Sequence, residues 1–68
     1  MRKMTANQYQ AALDKLEMTQ LAAGELFQVG PRTSHRWASG EARVPAAVAM
    51  LLRLMVDRVI TPDDLAEL

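Results

Sequence analysis

The segment Thr19-Gln20-Leu21-Ala22-Ala23-Gly24-Glu25-Leu26-Phe27-Gln28-Val29-Gly30-Pro31-Arg32-Thr33-Ser34-His35-Arg36-Trp37-Ala38-Ser39-Gly40-Glu41 decides how this chain folds. Thr19 is a helix cap, and the residues from Gln20 to Phe27 make about two turns with Ala23, Leu26 and Phe27 pointing one way. Gln28-Val29-Gly30 breaks that helix. Pro31 restarts one, because its fixed φ suits the first helical position. The new helix runs to Ala38 or Ser39 and stops at Gly40, a candidate for the left-handed C-terminal position.

Stepping around this short helix from Pro31 puts His35 at about 40°, Arg32 at about 100° and Arg36 at about 140°, with Trp37 opposite at about 240°. The helix is therefore expected to bury its indole in the core and to splay two guanidinium groups and an imidazole into solvent, free of neighbouring carboxylates. Such a face fits a major groove, where arginine bonds guanine edges bidentately; an ordinary solvated face is the alternative.

Outward from this segment the helical period recurs. Tyr9, Ala12, Leu13 and Leu16 share one face of a first helix from about Ala6 to Leu16, and Thr5 with Gln8 reads as a capping box. Arg43-Val44-Pro45 is an extended connection. A fourth helix follows from Pro45 to about Asp57. Thr61-Pro62-Asp63-Asp64 starts a short fifth helix with a cap, an N1 proline and acids near the positive helix end. No run shows the alternation of a strand. The expectation is an all-α, compact five-helix domain spanning residues 1–68.

Composition narrows function by exclusion. The 68 residues contain no cysteine and one histidine, which removes disulfides, thiolate zinc sites and iron–sulfur clusters and leaves no metal site. There is no phosphate-cradling glycine loop, no His-Glu-x-x-His pattern and no nucleophile with a base, so no catalytic residue and no cofactor are assigned. Thr5 to Gln10 is polar where a secretory leader needs apolar residues, and the apolar stretch Val44 to Leu52 is too short to span a bilayer. A cytoplasmic protein with no membrane partner is expected.

Eight Lys and Arg balance eight Asp and Glu, but unevenly along the chain. Residues 28–58 carry five arginines against Glu41 and Asp57, a net +3, while residues 59–68 carry Asp63, Asp64 and Glu67, a net −3. The zero total predicts weak non-specific affinity for nucleic acid and leaves specific binding open.

Thr19-Gln20, Gly24, Val29, Pro31-Arg32-Thr33 and Trp37-Ala38-Ser39-Gly40-Glu41 together resemble the helix-turn-helix of the lambda repressor-like (Cro and repressor) family, over roughly residues 5–55 with the motif itself at about 19–39. The resemblance implies a recognition helix in which Arg32, Thr33, His35 and Arg36 reach DNA bases or phosphates. It also implies phosphate contacts from Gln20 and Arg43, and dimeric binding to a palindromic operator. Three positions depart from the pattern. Gln28 replaces a turn glycine, at ~1 kcal/mol if φ stays positive. Gly30 replaces a Ser or Thr cap, at a few tenths of a kcal/mol. Ser34 replaces a buried Val or Ile, at about 1.5–3 kcal/mol, offset in part if its hydroxyl bonds back to the Gly30 carbonyl.

The fourth helix is apolar nearly all round, so more than one side must be covered. A symmetric copy is one cover, with Leu52, Met55, Val56, Val59, Ile60 and Leu65 of the region about 45–68 as the dimer surface. The fifth helix and Val59-Ile60 completing the cover within one chain is the other. Met1, Met4, Met18, Met50 and Met55 are read as gap fillers. The sequence therefore points to a sequence-specific, double-stranded DNA-binding transcriptional regulator of bacterial or phage type, a homodimer open to a protein antagonist. An antitoxin-like or adaptor module without DNA readout is the alternative.

Overall fold

The computed structural model describes residues 3–67; Met1, Arg2 and Leu68 lie outside it. Among the described residues there are five helices and no strand: α1 (Ala6–Lys15), α2 (Gln20–Leu26), α3 (Pro31–Ser39), α4 (Ala46–Val56) and α5 (Pro62–Ala66). The fold is all-α. No helix among these residues is long and apolar enough to cross a membrane. Pro45 caps α4 rather than starting it, and α1 and α2 each stop one residue short of expectation.

Local chemistry explains where each helix begins. The Thr5 hydroxyl accepts the Gln8 amide while Gln8 Oε1 accepts the Thr5 amide, at 3.1 and 2.9 Å, a reciprocal capping box. Thr61 and Asp64 repeat the arrangement at α5, and Thr19 alone caps α2 through the Ala22 amide at 3.0 Å. Gly30 provides no side-chain cap to α3, but Pro31 at its first position has no amide to satisfy.

The helix ends share one device. Past α1, the Met18 amide donates to the Leu13 carbonyl at 2.9 Å and the Glu17 amide to Asp14 at 3.1 Å. Val29 to Gly24 with Gln28 to Glu25, and Val59 to Leu54 with Arg58 to Met55, repeat the pattern after α2 and α4. These are Schellman motifs, and each needs a left-handed residue at the turn. Non-glycine residues fill all three: Glu17 at φ 54°, Gln28 at 57° and Arg58 at 62°. Only α3 ends on glycine, Gly40 at φ 86°.

The core is built mainly from α1, α3 and α4. Tyr9 and Leu13 of α1, Trp37 and Ala38 of α3, and Leu52 and Met55 of α4 form one buried cluster with Ala23, Met4 and Val44. Tyr9 meets Trp37 edge to face, with centroids 5.8 Å apart and planes at 81°, the geometry that sets a positive ring edge against a negative face. α2 packs on α3, and α5 packs back on α2. The small Gly24 sits at the α2–α3 crossing, where a Cβ would lie 3.4 Å from the Val29 carbonyl oxygen and 3.5 Å from that of Gly30.

Two residues assigned to a dimer surface belong instead to this core. Leu52 is 0% and Met55 3% exposed within the single chain, because their face of α4 lies against the rest of the buried cluster. Val56, Ile60 and Leu65 are half-buried against the same core, and Val59 stays 67% exposed. Met4 and Met55 fill the interior, Met18 packs at its edge, and Met50 is exposed; Met1 lies outside the described residues.

Candidate nucleic-acid interface

The outer face of α3 is set by what its inner face holds. Ser34, Trp37 and Ala38 are buried, which turns Arg32, His35 and Arg36 outward and leaves Thr33 half-buried at the edge. The four residues assigned to base contact are thus brought together on two turns of one helix, three of them exposed.

Ser34 explains how a polar residue occupies an apolar position. Its hydroxyl donates to the Gln20 backbone carbonyl at 2.7 Å, and its oxygen lies 2.7 Å from the Tyr9 phenol. The single Ser34 proton goes to the carbonyl, which can only accept, so Tyr9 must donate to Ser34. Burial pushes the Tyr9 phenol above its ordinary value, which keeps that proton in place. The hydroxyl does not bond back to the Gly30 carbonyl, because the side chain turns inward to the start of α2. The result is a buried relay from α1 through α3 to α2.

Gln20 also uses its side chain. Its Oε1 lies 3.2 Å from His35 Nδ1, so adjacent residues of α3 grip one residue of α2 by backbone and side chain respectively. Gln20 and His35 are both exposed and stand together at the same edge of the α2–α3 pair.

Arg36 corrects one expectation. Its Nε lies 3.7 Å from Glu41 Oε2, so one guanidinium has an intramolecular carboxylate beside it. Glu41 reaches it because Gly40 turns the chain back and the Ala42 amide donates to the Arg36 carbonyl at 3.2 Å. The two side chains are 51% and 66% exposed, and a pair this open contributes only ~0–1 kcal/mol. The charge remains available to a stronger partner.

Arg43 is exposed in the connection after α3 and lines a cleft with Lys3, Met4, Val44 and Pro45. Lys3 is a second cation that sequence reading passed over. Nothing in the sequence pairs residues so far apart; the shared burial of Met4 and Val44 does so. The Tyr9–Ser34–Gln20 relay was equally hidden, its one trace being a serine where the helical wheel asks for an apolar side chain. Gln10 likewise reaches across from α1 to donate to the Ala38 carbonyl near the end of α3. No family model matches the sequence, and no curated protein matches it.

Proposed function

We propose that this chain is a lambda repressor-like helix-turn-helix protein that binds double-stranded DNA sequence-specifically as a transcriptional regulator of bacterial or phage type. α3 is the recognition helix, with Arg32, Thr33, His35 and Arg36 at base edges; Gln20 and Arg43 contact phosphates. The observation that carries the reading is the exposure of Arg32, His35 and Arg36 on a single face of a helix anchored by a buried hydroxyl relay to its neighbours. A helix held against both α1 and α2 fixes the position from which its exposed side chains reach, which is what specific readout needs.

A homodimer in the cytoplasm accompanies this reading, its surface formed by Val56, Val59, Ile60 and Leu65 without the two buried residues of α4. Selection from random duplex pools tests binding, half-site symmetry and spacing together. Enrichment of a palindrome, with affinity falling steeply as salt rises, is the expected outcome. No retention of any duplex at low salt overturns it in favour of an adaptor or antitoxin-like module on the same helices.

A further inference from the structure

The chain has a single histidine, and its ring has one intramolecular hydrogen bond among the described residues: Nδ1 to Gln20 Oε1 at 3.2 Å. An amide oxygen only accepts, so the shared proton sits on Nδ1 and the neutral ring leaves Nε2 bare. The opposite orientation of the Gln20 amide would turn its NH2 toward the ring and force the proton onto Nε2.

The structure has the first arrangement, with Oε1 facing Nδ1. Phosphate oxygens only accept, so a Gln20 that reaches a phosphate must present its NH2 outward and keep Oε1 facing His35. The Gln20 backbone is also already tied to Ser34, the residue before His35, by a part-buried bond of 2.7 Å. The side-chain bond therefore closes a ring that is largely ordered, at small further entropic cost.

We infer that Gln20 holds His35 as its Nδ1–H tautomer, so that Nε2 meets the major groove as an acceptor for an exocyclic amine, adenine N6 or cytosine N4, and distinguishes a base pair from its reverse orientation. Adenine N6 and cytosine N4 are the donors a major groove offers; guanine and thymine present only acceptors at the corresponding edges. Gln20 is then a positioning residue that links a phosphate contact to a base preference. The base preference rests on the DNA-binding reading above, whereas the tautomer is a property of the free protein.

The test has two arms. Nitrogen-15 NMR of the free protein at pH 9 reads the tautomer of the lone histidine directly. The wild type is expected to show Nδ1 protonated. Gln20→Ala is expected to shift the ring toward Nε2–H, and Gln20→Glu, which keeps an acceptor oxygen, to retain Nδ1–H. A wild-type ring protonated at Nε2, or one unmoved by Gln20→Ala, overturns the assignment. Duplex selection at the same pH is expected to show, at one position per half-site, a roughly tenfold preference for one orientation of a base pair over its reverse, lost in Gln20→Ala while the preferences at other positions persist. If Gln20→Ala leaves every positional preference of the selected duplexes unchanged, the base selection is overturned. Absence of any enriched duplex removes the functional reading and its base preference together, while the NMR arm decides the tautomer separately.

Discussion

Ser34 and Gln20 are joined at 2.7 Å by a hydrogen bond whose donor is buried in α3 and whose acceptor is a backbone carbonyl of α2. That bond, backed by the Tyr9 phenol, sets the α2–α3 geometry on which the exposed face depends. A valine at the same place would fill space without naming a partner. The hydroxyl gives the crossing a definite register at the cost of some apolar burial.

Removing the hydroxyl should therefore cost more than its size suggests. Ser34→Ala strands the buried Tyr9 phenol and removes the second partner of the Gln20 carbonyl, which keeps its bond within α2, and is expected to destabilise by about 1–3 kcal/mol in urea unfolding. Tyr9→Phe leaves Ser34 donating to Gln20 and should cost less in hydrogen bonding, about 0.5–1.5 kcal/mol. The double variant should fall short of the sum of the two. Strict additivity would show that the relay does not act as a unit.

Tyr9 also predicts an alkaline limit. Burial raises its folded-state pKa above the ordinary 10.0, so above that pH the unfolded chain gives up a proton that the folded chain keeps. The contribution is fully present below the unfolded value and is lost as pH rises through the folded one. The stability gap between wild type and Tyr9→Phe should shrink progressively above pH 10.0. A gap that stays constant there would deny the shift.

The three left-handed residues at Schellman turns are strained where glycine would not be. Glu17→Gly, Gln28→Gly and Arg58→Gly should each stabilise the fold by about 1 kcal/mol, read as a raised urea midpoint. Gly40→Ala should do the reverse by a similar amount. Loss of stability in the three glycine variants would mean that their side chains provide contacts outweighing the strain.

The Arg36–Glu41 pair predicts opposite effects on stability and binding. Glu41→Gln should change stability by less than ~0.5 kcal/mol yet tighten DNA binding, since it frees a guanidinium and removes a negative charge. Arg36→Ala should weaken specific binding by ~1–3 kcal/mol and relax one base position. Arg43→Ala and Lys3→Ala should instead weaken binding similarly on every sequence and flatten the salt dependence, as measured by fluorescence anisotropy titrations. Identical operator affinity in all of these variants would strike the role assignments.

The sequence by itself determined the helices and the outward set on α3, because caps, prolines and the 3.6-residue period act within a few residues of each other. Thr5, Thr19, Thr61 and Pro31 mark their starts without help from the rest of the chain. Helix ends were less legible: Glu17 and Arg58 carry no glycine signal, and only the apolar residues flanking each turn, such as Leu13 with Met18 and Leu54 with Val59, hint at left-handed closure. Tertiary structure alone decided the partners. Whether Leu52 and Met55 face a second chain or their own core depends on where α1 and α3 lie against α4, which no local pattern encodes. The same holds for the Ser34 hydroxyl, whose two partners are 14 and 25 residues away and become neighbours only when three helices pack. A side chain's direction is a local property, but its partner is a property of the whole fold.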